Sequence, residues 1–221
     1  MGSDAALEPE GGRRMKLRLA ETFTSLQGEG HLAGKRMYFI RFAGCSVNSC
    51  PMHPVNGNTC DTDWKSRQVV EDISAVADKA LSVVGVGGWV SITGGEPTDQ
   101  VDALNFLSGE IRARGMQLNI QTAGTKIVTC PWDWLTMSPK ANRSSIKQDF
   151  GQELKLVYTG QTADELDEWY MTTKFWNYYL MPFWGPAGPN TTDTIAAIHA
   201  AYERGYRWEL TTQQHKIWGV R

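Results

Sequence analysis

The sequence predicts an α/β fold in which a largely parallel sheet is wrapped by helices. Three observations carry that expectation. Strand-like and helix-like runs alternate along most of the chain. The 221 residues can bury one full core without disulfide staples. Loop segments rich in cysteine or glycine follow two of the strand-like runs, where ligands gather in parallel α/β folds.

Taken in order, residues 1–14 carry charge, Gly and Pro with no apolar periodicity, which predicts a flexible tail or cloning remnant ahead of a single domain, 15–221. Leu17 to Phe23 and Arg36 to Phe42 read as strands. A helix is expected from Ser66 to Leu81, because Val69, Val70, Ile73, Val76 and Leu81 fall on one side. Further strands are expected at Trp89 to Ile92, Met116 to Ile120, Trp134 to Met137, Glu153 to Tyr158, Tyr178 to Pro182 and Arg207 to Thr211. Helices fit Gln100 to Arg114, Ala163 to Thr172 and Thr192 to Arg204 between them. The nine tryptophans are scattered and are expected in core and rim packing.

Charge narrows the function class. Lys plus Arg is 22 against Asp plus Glu 24, a net charge of -2, so no basic excess points to nucleic acid or an anionic membrane and a small ligand is favoured. No apolar run reaches the ~18 to 20 residues that span a bilayer. Met1 to Met15 lacks the apolar stretch of a signal peptide, so the cytoplasm is the expected location.

Of four cysteines, Cys45, Cys50 and Cys60 share one short loop-forming segment after a strand, and Cys130 stands apart as an expected packed thiol. Clustered cysteines in a chain of this size are more often metal ligands or catalytic thiols than bridges. On spacing alone three readings stay open. Three thiolates can hold an iron-sulfur cluster with one iron left for a substrate or cofactor. They can instead bind zinc with His53 or Asp61 as a fourth ligand, or they can be unligated. A second motif, Thr93-Gly94-Gly95-Glu96-Pro97, ends a strand in two glycines and an acid, letting backbone approach a ligand closely while Glu96 or nearby carbonyls accept from an amine.

Cysteine triplet and glycine motif together resemble the radical S-adenosylmethionine (SAM) enzymes. Within that superfamily the chain is similar to the 7-carboxy-7-deazaguanine synthases nearly end to end from Leu17. The matching stretches are Thr24 to Gly30, Phe39 to Cys45, Cys60-Asp61-Thr62, Thr93 to Pro97, Ser138-Pro139-Lys140, Glu153-Leu154-Lys155 and Gln214-His215-Lys216. The resemblance implies a partial parallel β/α barrel of about six strands and a lyase that converts 6-carboxy-5,6,7,8-tetrahydropterin to 7-carboxy-7-deazaguanine with release of ammonia. It also implies that SAM serves as a regenerated catalyst. Cys45, Cys50 and Cys60 would ligate a four-iron four-sulfur cluster, and Thr62 would bind magnesium.

The same resemblance distributes the remaining roles. Leu26, Gln27, Gly28, Glu29, Arg41, Thr93, His215 and Arg221 would bind substrate: Gln27 and Glu29 at the pterin edge, Arg41 as a fork for the substrate carboxylate. Gly95, Glu96, Gln121, Ser138, Pro139, Lys140, Lys155, Met181, Pro182, Phe183 and Trp184 would line the SAM site. An external electron donor such as flavodoxin, a homodimer and a role in queuosine-type nucleoside biosynthesis are further implications. Read as bare residues, Gln27 and Glu29 could be a polar turn, Arg41 a strand-edge ion pair, Asp61-Thr62 a turn or helix cap, and His215 structural.

Three departures from the family pattern stand out. Many members place the last two cysteines two residues apart, whereas nine residues separate Cys50 from Cys60 here, and Gly57 occupies the position where the middle cysteine would usually sit; Cys50 is the expected ligand in preference to His53. Gln121 stands where the family has an acidic residue, and Phe183-Trp184 replace a polar adenosine-pocket residue. A glycyl-radical activase would add ferredoxin-like cysteine clusters, which the sequence lacks. A zinc-stabilised binding module is the non-enzymatic alternative.

Overall fold

The computed structural model describes residues 15–47, 50, 60 and 62–221. The expected tail, and the points raised above for His53, Gly57 and Asp61, lie outside the described residues.

Strand β1 (Leu17–Leu26) turns into an antiparallel β2 (Arg36–Phe42), with Leu26 opposite Arg36 and Phe23 opposite Phe39. A short β3 (Gln68–Val70) lies antiparallel on the outer edge of β1. The chain then enters the alternation read from the sequence. Helix α1 (Ile73–Val84) leads to β4 (Trp89–Gly94), a 3₁₀ turn at Pro97–Gln100 runs into α2 (Val101–Ala113), and β5 (Gln117–Thr122), β6 (Trp134–Met137) and β7 (Phe150–Tyr158) follow. Helix α3 (Ala163–Thr172) precedes β8 (Lys174–Pro182). A small hairpin of β9 (Trp184–Gly185) and β10 (Gly188–Pro189) comes before α4 (Thr191–Glu203), β11 (Glu209–Leu210) and α5 (Gln214–Trp218).

The main sheet has the order β11-β8-β7-β6-β5-β4-β2-β1-β3, and every pairing from β2 to β11 is parallel. Six strands of ordinary length form that parallel run, with the two-residue β11 at its edge, in line with the expected abbreviated architecture. No helix among the described residues is long and apolar enough to cross a membrane.

Alternation of side chains divides the sheet into two unlike faces. Tyr38, Ile40 and Phe42 of β2, Val90 and Ile92 of β4, Leu118 and Ile120 of β5 and Leu135 of β6 pack with α1 and α2 in one apolar core. Leu154, Leu156, Tyr178 and Leu180 continue it beneath α3 and α4 with Trp208, which is fully buried. The opposite, inner face carries an apolar layer at the strand beginnings, where Met37, Phe39 and Leu32 pack with Phe23, Trp89 and Trp134. Beyond that layer the middle of the inner face is polar, and Val157 and Met181 follow at the ends of β7 and β8.

The expected helix from Ser66 is corrected. Val69 and Val70, β-branched, pair with Arg18 and Leu17 as an edge strand. The helix starts only after Asp72, whose side chain accepts from the Ala75 amide at 3.1 Å and so caps the first turn. Helix α3 matches its expected bounds and opens with a reciprocal capping box between Thr162 and Glu165.

Candidate active site

Register places a row of polar residues across the inner face. Arg41 lies beside Thr93; Gln121, Thr136, Glu153 and Asn177 are successive neighbours on β5 to β8; Lys155, Tyr179 and Glu209 follow one row further along β7, β8 and β11. Hydrogen bonds knit the row together. Gln121 donates to Ser91 Oγ at 3.0 Å, Ser91 to Asn119 Oδ1 at 2.8 Å, Asn119 to Thr136 Oγ1 at 3.2 Å, and Thr136 to Glu153 Oε1 at 3.2 Å. Each of these groups is drawn from water and satisfied by its neighbours, which makes the network rigid.

The turn after β1 stands over this row. It closes on itself through Gln27 N to Lys35 O and Gly34 N to Gln27 O, both 2.8 Å, while Gln27 Oε1 accepts from the Glu29 amide at 3.1 Å. Glu29 receives the Lys155 ammonium from β7 on one oxygen and Gln213 Nε2 on the other at 3.2 Å. Burial by itself would lift the Glu29 carboxyl, but the charge and hydrogen bond of Lys155, aided by His215 and Gln213, overcome it and hold the group down at about 2. Lys155 is pushed the other way: burial favours the neutral amine, yet Glu29 and Glu153 together raise its pKa. Glu29 is therefore a fixed carboxylate at any physiological pH.

The C-terminal segment is clamped onto the same turn. Thr211 Oγ1 accepts from the Gly30 amide at 2.7 Å, and the Gln214 amide donates to Gly28 O at 2.9 Å. Gly28 has no room for a side chain, since a Cβ there would stand 2.3 Å from His215 Nδ1 and 2.7 Å from the His215 backbone nitrogen. Residues 27–30 and 211–215 thus form one surface although most of the sequence separates them.

Arg41 is held on β2 by Glu21 of the facing strand, Nε to Oε1 at 3.0 Å, with its guanidinium 5.7 Å from the Phe23 ring centre. Arg221 approaches the other Glu21 oxygen and the same ring, and its carbonyl accepts from Ser25 Oγ at 2.5 Å. Glu21 and Phe23 thus tie Arg41 and Arg221 to a common patch on β1. Leu26, at the end of β1, is partly exposed.

The first cysteine leaves the end of β2 and packs against the glycine pair at the end of β4. Gly95 N donates to Phe42 O at 3.2 Å and Glu96 N to Gly44 O at 3.1 Å; a Cβ on Gly95 would stand 2.1 Å from Gly44 O and 2.7 Å from Cys45 Cβ. Only glycine permits that approach, and Gly94 at φ +150° adds a second position that other residues rarely adopt. Glu96 is fully buried: Oε1 accepts from Thr98 N, Thr98 Oγ1 and Thr122 Oγ1, and Oε2 from Ala123 N at 2.8 Å. The structure places its carboxylate as the clamp of this loop, with donors on both oxygens.

Two further residues anchor the cysteine loop, and no motif singled them out. Asp99 accepts from Ser46 N at 2.7 Å and Ser46 Oγ at 2.6 Å, and from Lys126 Nζ at 2.7 Å. Gln100 binds the main chain of Arg18 and Ala43. Both follow the glycine motif directly in Pro97-Thr98-Asp99-Gln100, so the signal was adjacency to a strand-end loop.

Cys45, Cys50 and Cys60 are all half-buried, whereas Cys130 is sealed in the core beneath α2, as expected of a packed thiol. Burial, with Glu96 and Asp99 adding to it, pushes the free Cys45 thiol up to about 11 against the Val47 amide. Among the described residues no three His, Cys, Asp or Glu side chains converge as a metal site, and the whole stretch joining Cys50 to Cys60, residues 51–59, lies outside them. The donor set nonetheless fits a cluster: reachable thiols, the first of them pressed onto a side-chain-free backbone pair at a parallel strand end. Thr62 is described and half-buried beyond Cys60.

The remaining expected SAM residues are spread along the strand ends. Ser138 N donates to Thr122 O at 2.8 Å and Lys140 Nζ to Ser138 Oγ at 2.9 Å, so Ser138-Pro139-Lys140 folds back on β5. Met181 and Pro182 are buried at the end of β8; Phe183 and Trp184 are exposed at the hairpin, where Lys216 of α5 lies 4.9 Å from the Trp184 ring. Lys155, expected at the SAM site, is placed instead on Glu29 of the turn after β1.

Comparison with family models finds no match. Among curated proteins, the chain is 32% identical over 217 residues to the 7-carboxy-7-deazaguanine synthase of Caulobacter vibrioides, covering 93% of this chain and 100% of the relative. It is 31% identical to that of Bordetella pertussis with the same coverage, and 32% identical over 205 residues to that of Synechocystis, covering 92% of this chain and 93% of the relative. The crystal structure of QueE from Escherichia coli superposes with a TM-score of 0.68 at 24% identity, over 93% of this chain and 100% of that one, which confirms the mixed α/β fold. With identity of this level spanning both chains almost completely, the protein belongs to the 7-carboxy-7-deazaguanine synthase family of radical SAM enzymes.

Proposed function

We propose that the protein converts 6-carboxy-5,6,7,8-tetrahydropterin to 7-carboxy-7-deazaguanine, with loss of ammonia, as a step toward queuosine-type deazapurines. The observation that carries this reading is the union of the Gln27–Gly30 turn with the 211–215 segment. It presents a fixed carboxylate, Glu29, between Lys155, Gln213 and His215. A pterin edge offers adjacent N–H donors, and an ionised carboxylate beside an amide is the complementary acceptor set.

Arg41 is the residue for the substrate carboxylate. Its Nε is engaged by Glu21 at 3.0 Å, which sets the plane of the fork and leaves its outer nitrogens as the substrate-facing donors. Thr93, its neighbour in register, completes that end of the pocket. Cys45, Cys50 and Cys60 would hold a four-iron four-sulfur cluster, which with bound SAM would supply the radical chemistry of the reaction. Gly95 brings backbone to the SAM amino group, while Ser138 to Lys140, Gln121 and Met181 to Trp184 line the rest of its site. Magnesium at Thr62, a flavodoxin-type electron donor, a homodimer and a cytoplasmic setting complete the reading.

The test is anaerobic reconstitution with iron and sulfide, then incubation with dithionite, SAM, magnesium and carboxytetrahydropterin. The expected product is a deazaguanine carboxylate by mass. A full cluster without that product discards the substrate, and zinc in place of iron discards the enzyme.

A further inference from the structure

Glu153 is a buried carboxylate to which neither the substrate turn nor the cysteine loop assigns a task. It is 2 % exposed, on β7, and shares the inner face with Lys155 two residues on. Its Oε2 accepts from the His31 amide at 2.9 Å and from Trp134 Nε1 at 3.3 Å, and its Oε1 from Thr136 Oγ1 at 3.2 Å. The backbone that follows Glu29 rests directly on it. Gly30 has φ +68°, and a Cβ there would stand 2.2 Å from Glu153 Oε1. His31 is held from its ring side as well, stacked on Trp134 with ring centres 4.7 Å apart.

We propose that Glu153 is a positioning residue for substrate binding: by accepting from the His31 amide it fixes the backbone of the turn that carries Gln27 and Glu29. The inference rests on the function proposed above. Both Glu153 oxygens are engaged by protein donors, so it acts through the turn and Glu29. The turn is pinned at three points, by Lys155 on the Glu29 side chain, by Thr211 on the Gly30 amide and by Glu153 on the His31 amide. Three pins on consecutive residues leave little freedom to the one carboxylate that must meet the substrate. The contact needs an acceptor oxygen more than a charge. Burial pushes the Glu153 carboxyl up, with Lys155, the His31 amide, the Thr136 hydroxyl and the Trp134 indole only partly opposing it.

The experiment compares Glu153→Ala and Glu153→Gln, the second keeping an acceptor oxygen for His31 and Trp134. Loss of one such hydrogen bond corresponds to about a five- to tenfold effect. E153A is expected to speed exchange of the His31 amide about tenfold and to raise KM for carboxytetrahydropterin about tenfold, with kcat changed less than about twofold. E153Q is expected to restore both to within about threefold of the wild type. In an E29Q background E153A should add less than about twofold to KM, since its route through Glu29 is already gone. An unchanged His31 exchange in E153A, or a full tenfold KM effect in the E29Q background, overturns the proposal. Should E153A not fold, E153Q decides: near-normal exchange and KM support the anchor, and a tenfold loss assigns the effect to charge and overturns it. A wild type that never turns over the pterin defeats the function proposed above, and the exchange comparison still reads the anchor.

Discussion

Lys155, buried on β7, donates its ammonium to Glu29, 126 positions earlier in the chain. That pair ties the middle of the sheet to the first turn and sits where substrate is expected. Removing the cation alone leaves a buried carboxylate with only the Gln213 amide on it and no ammonium to balance its charge, which costs about 3 to 5 kcal/mol. Lys155→Met should destabilise the protein by that amount in denaturant unfolding, and Lys155→Met with Glu29→Leu should recover much of it. Equal destabilisation in the single and double variants would show that the pair is not coupled.

The same pair sets a pH window. Glu29 is depressed from 4.5 to about 2, so its contribution is complete above the unfolded value and disappears as pH falls toward 2. Lys155 is raised, so its contribution is complete below 10.5 and is lost only as pH climbs through its raised value. The stability difference between wild type and Glu29→Gln should therefore be flat across neutral pH and shrink between 4.5 and about 2. A difference that stays constant down to the acid end would mean Glu29 is not held ionised.

Gly95→Ala places a methyl 2.1 Å from the Gly44 carbonyl, a backbone atom with no freedom to move aside. The loop of Cys45 must shift, and iron retained after anaerobic reconstitution should fall at least about fivefold while the sheet still folds. Circular dichroism and an iron count read the two separately. Full iron content in this variant would show that the glycine pair and the cysteine loop are independent.

Asp99→Ala removes both hydrogen bonds to Ser46, 2.6 and 2.7 Å, beside the first cysteine. Cluster loss on exposure to a chelator should accelerate several-fold, about what two charge-assisted hydrogen bonds at an exposed site allow. An unchanged rate would place the stiffness of the loop elsewhere. As a companion pair, Cys50→Ala should abolish cluster assembly and Cys130→Ala leave it intact, because Cys130 is buried in the α1 and α2 core.

Arg41→Ala should raise KM for the pterin by about 10- to 100-fold, the weight of a charge-assisted hydrogen bond, while slow cleavage of SAM persists without substrate. Parallel loss of both activities would argue against a role confined to the substrate carboxylate.

The alternation of strands and helices was legible because buried parallel strands are near-continuous apolar runs and the helices over them are amphipathic. Helix α3, with its Thr162–Glu165 box, matched to the residue. The region after Trp64 misled, since Val69 and Val70 suit a helix face and an edge strand equally, and only the Asp72 cap distinguishes them. Helix α5 was missed: the five residues Gln214–Trp218, capped by Gly219, are too few for a periodic signal. At the site, motif residues were visible one by one, and their joining was not. Nothing local in Glu153 or Lys155 says that they meet the turn at Glu29 and His31, since that contact depends on the register of β6 and β7.

The most direct test of the central claim counts product against cofactor. With the cluster reconstituted, 7-carboxy-7-deazaguanine and 5'-deoxyadenosine are quantified in one anaerobic time course. Many products per cofactor lost are expected, since a regenerated SAM is the mark of this lyase. A protein that holds its cluster and cleaves SAM but yields no deazaguanine would contradict the account.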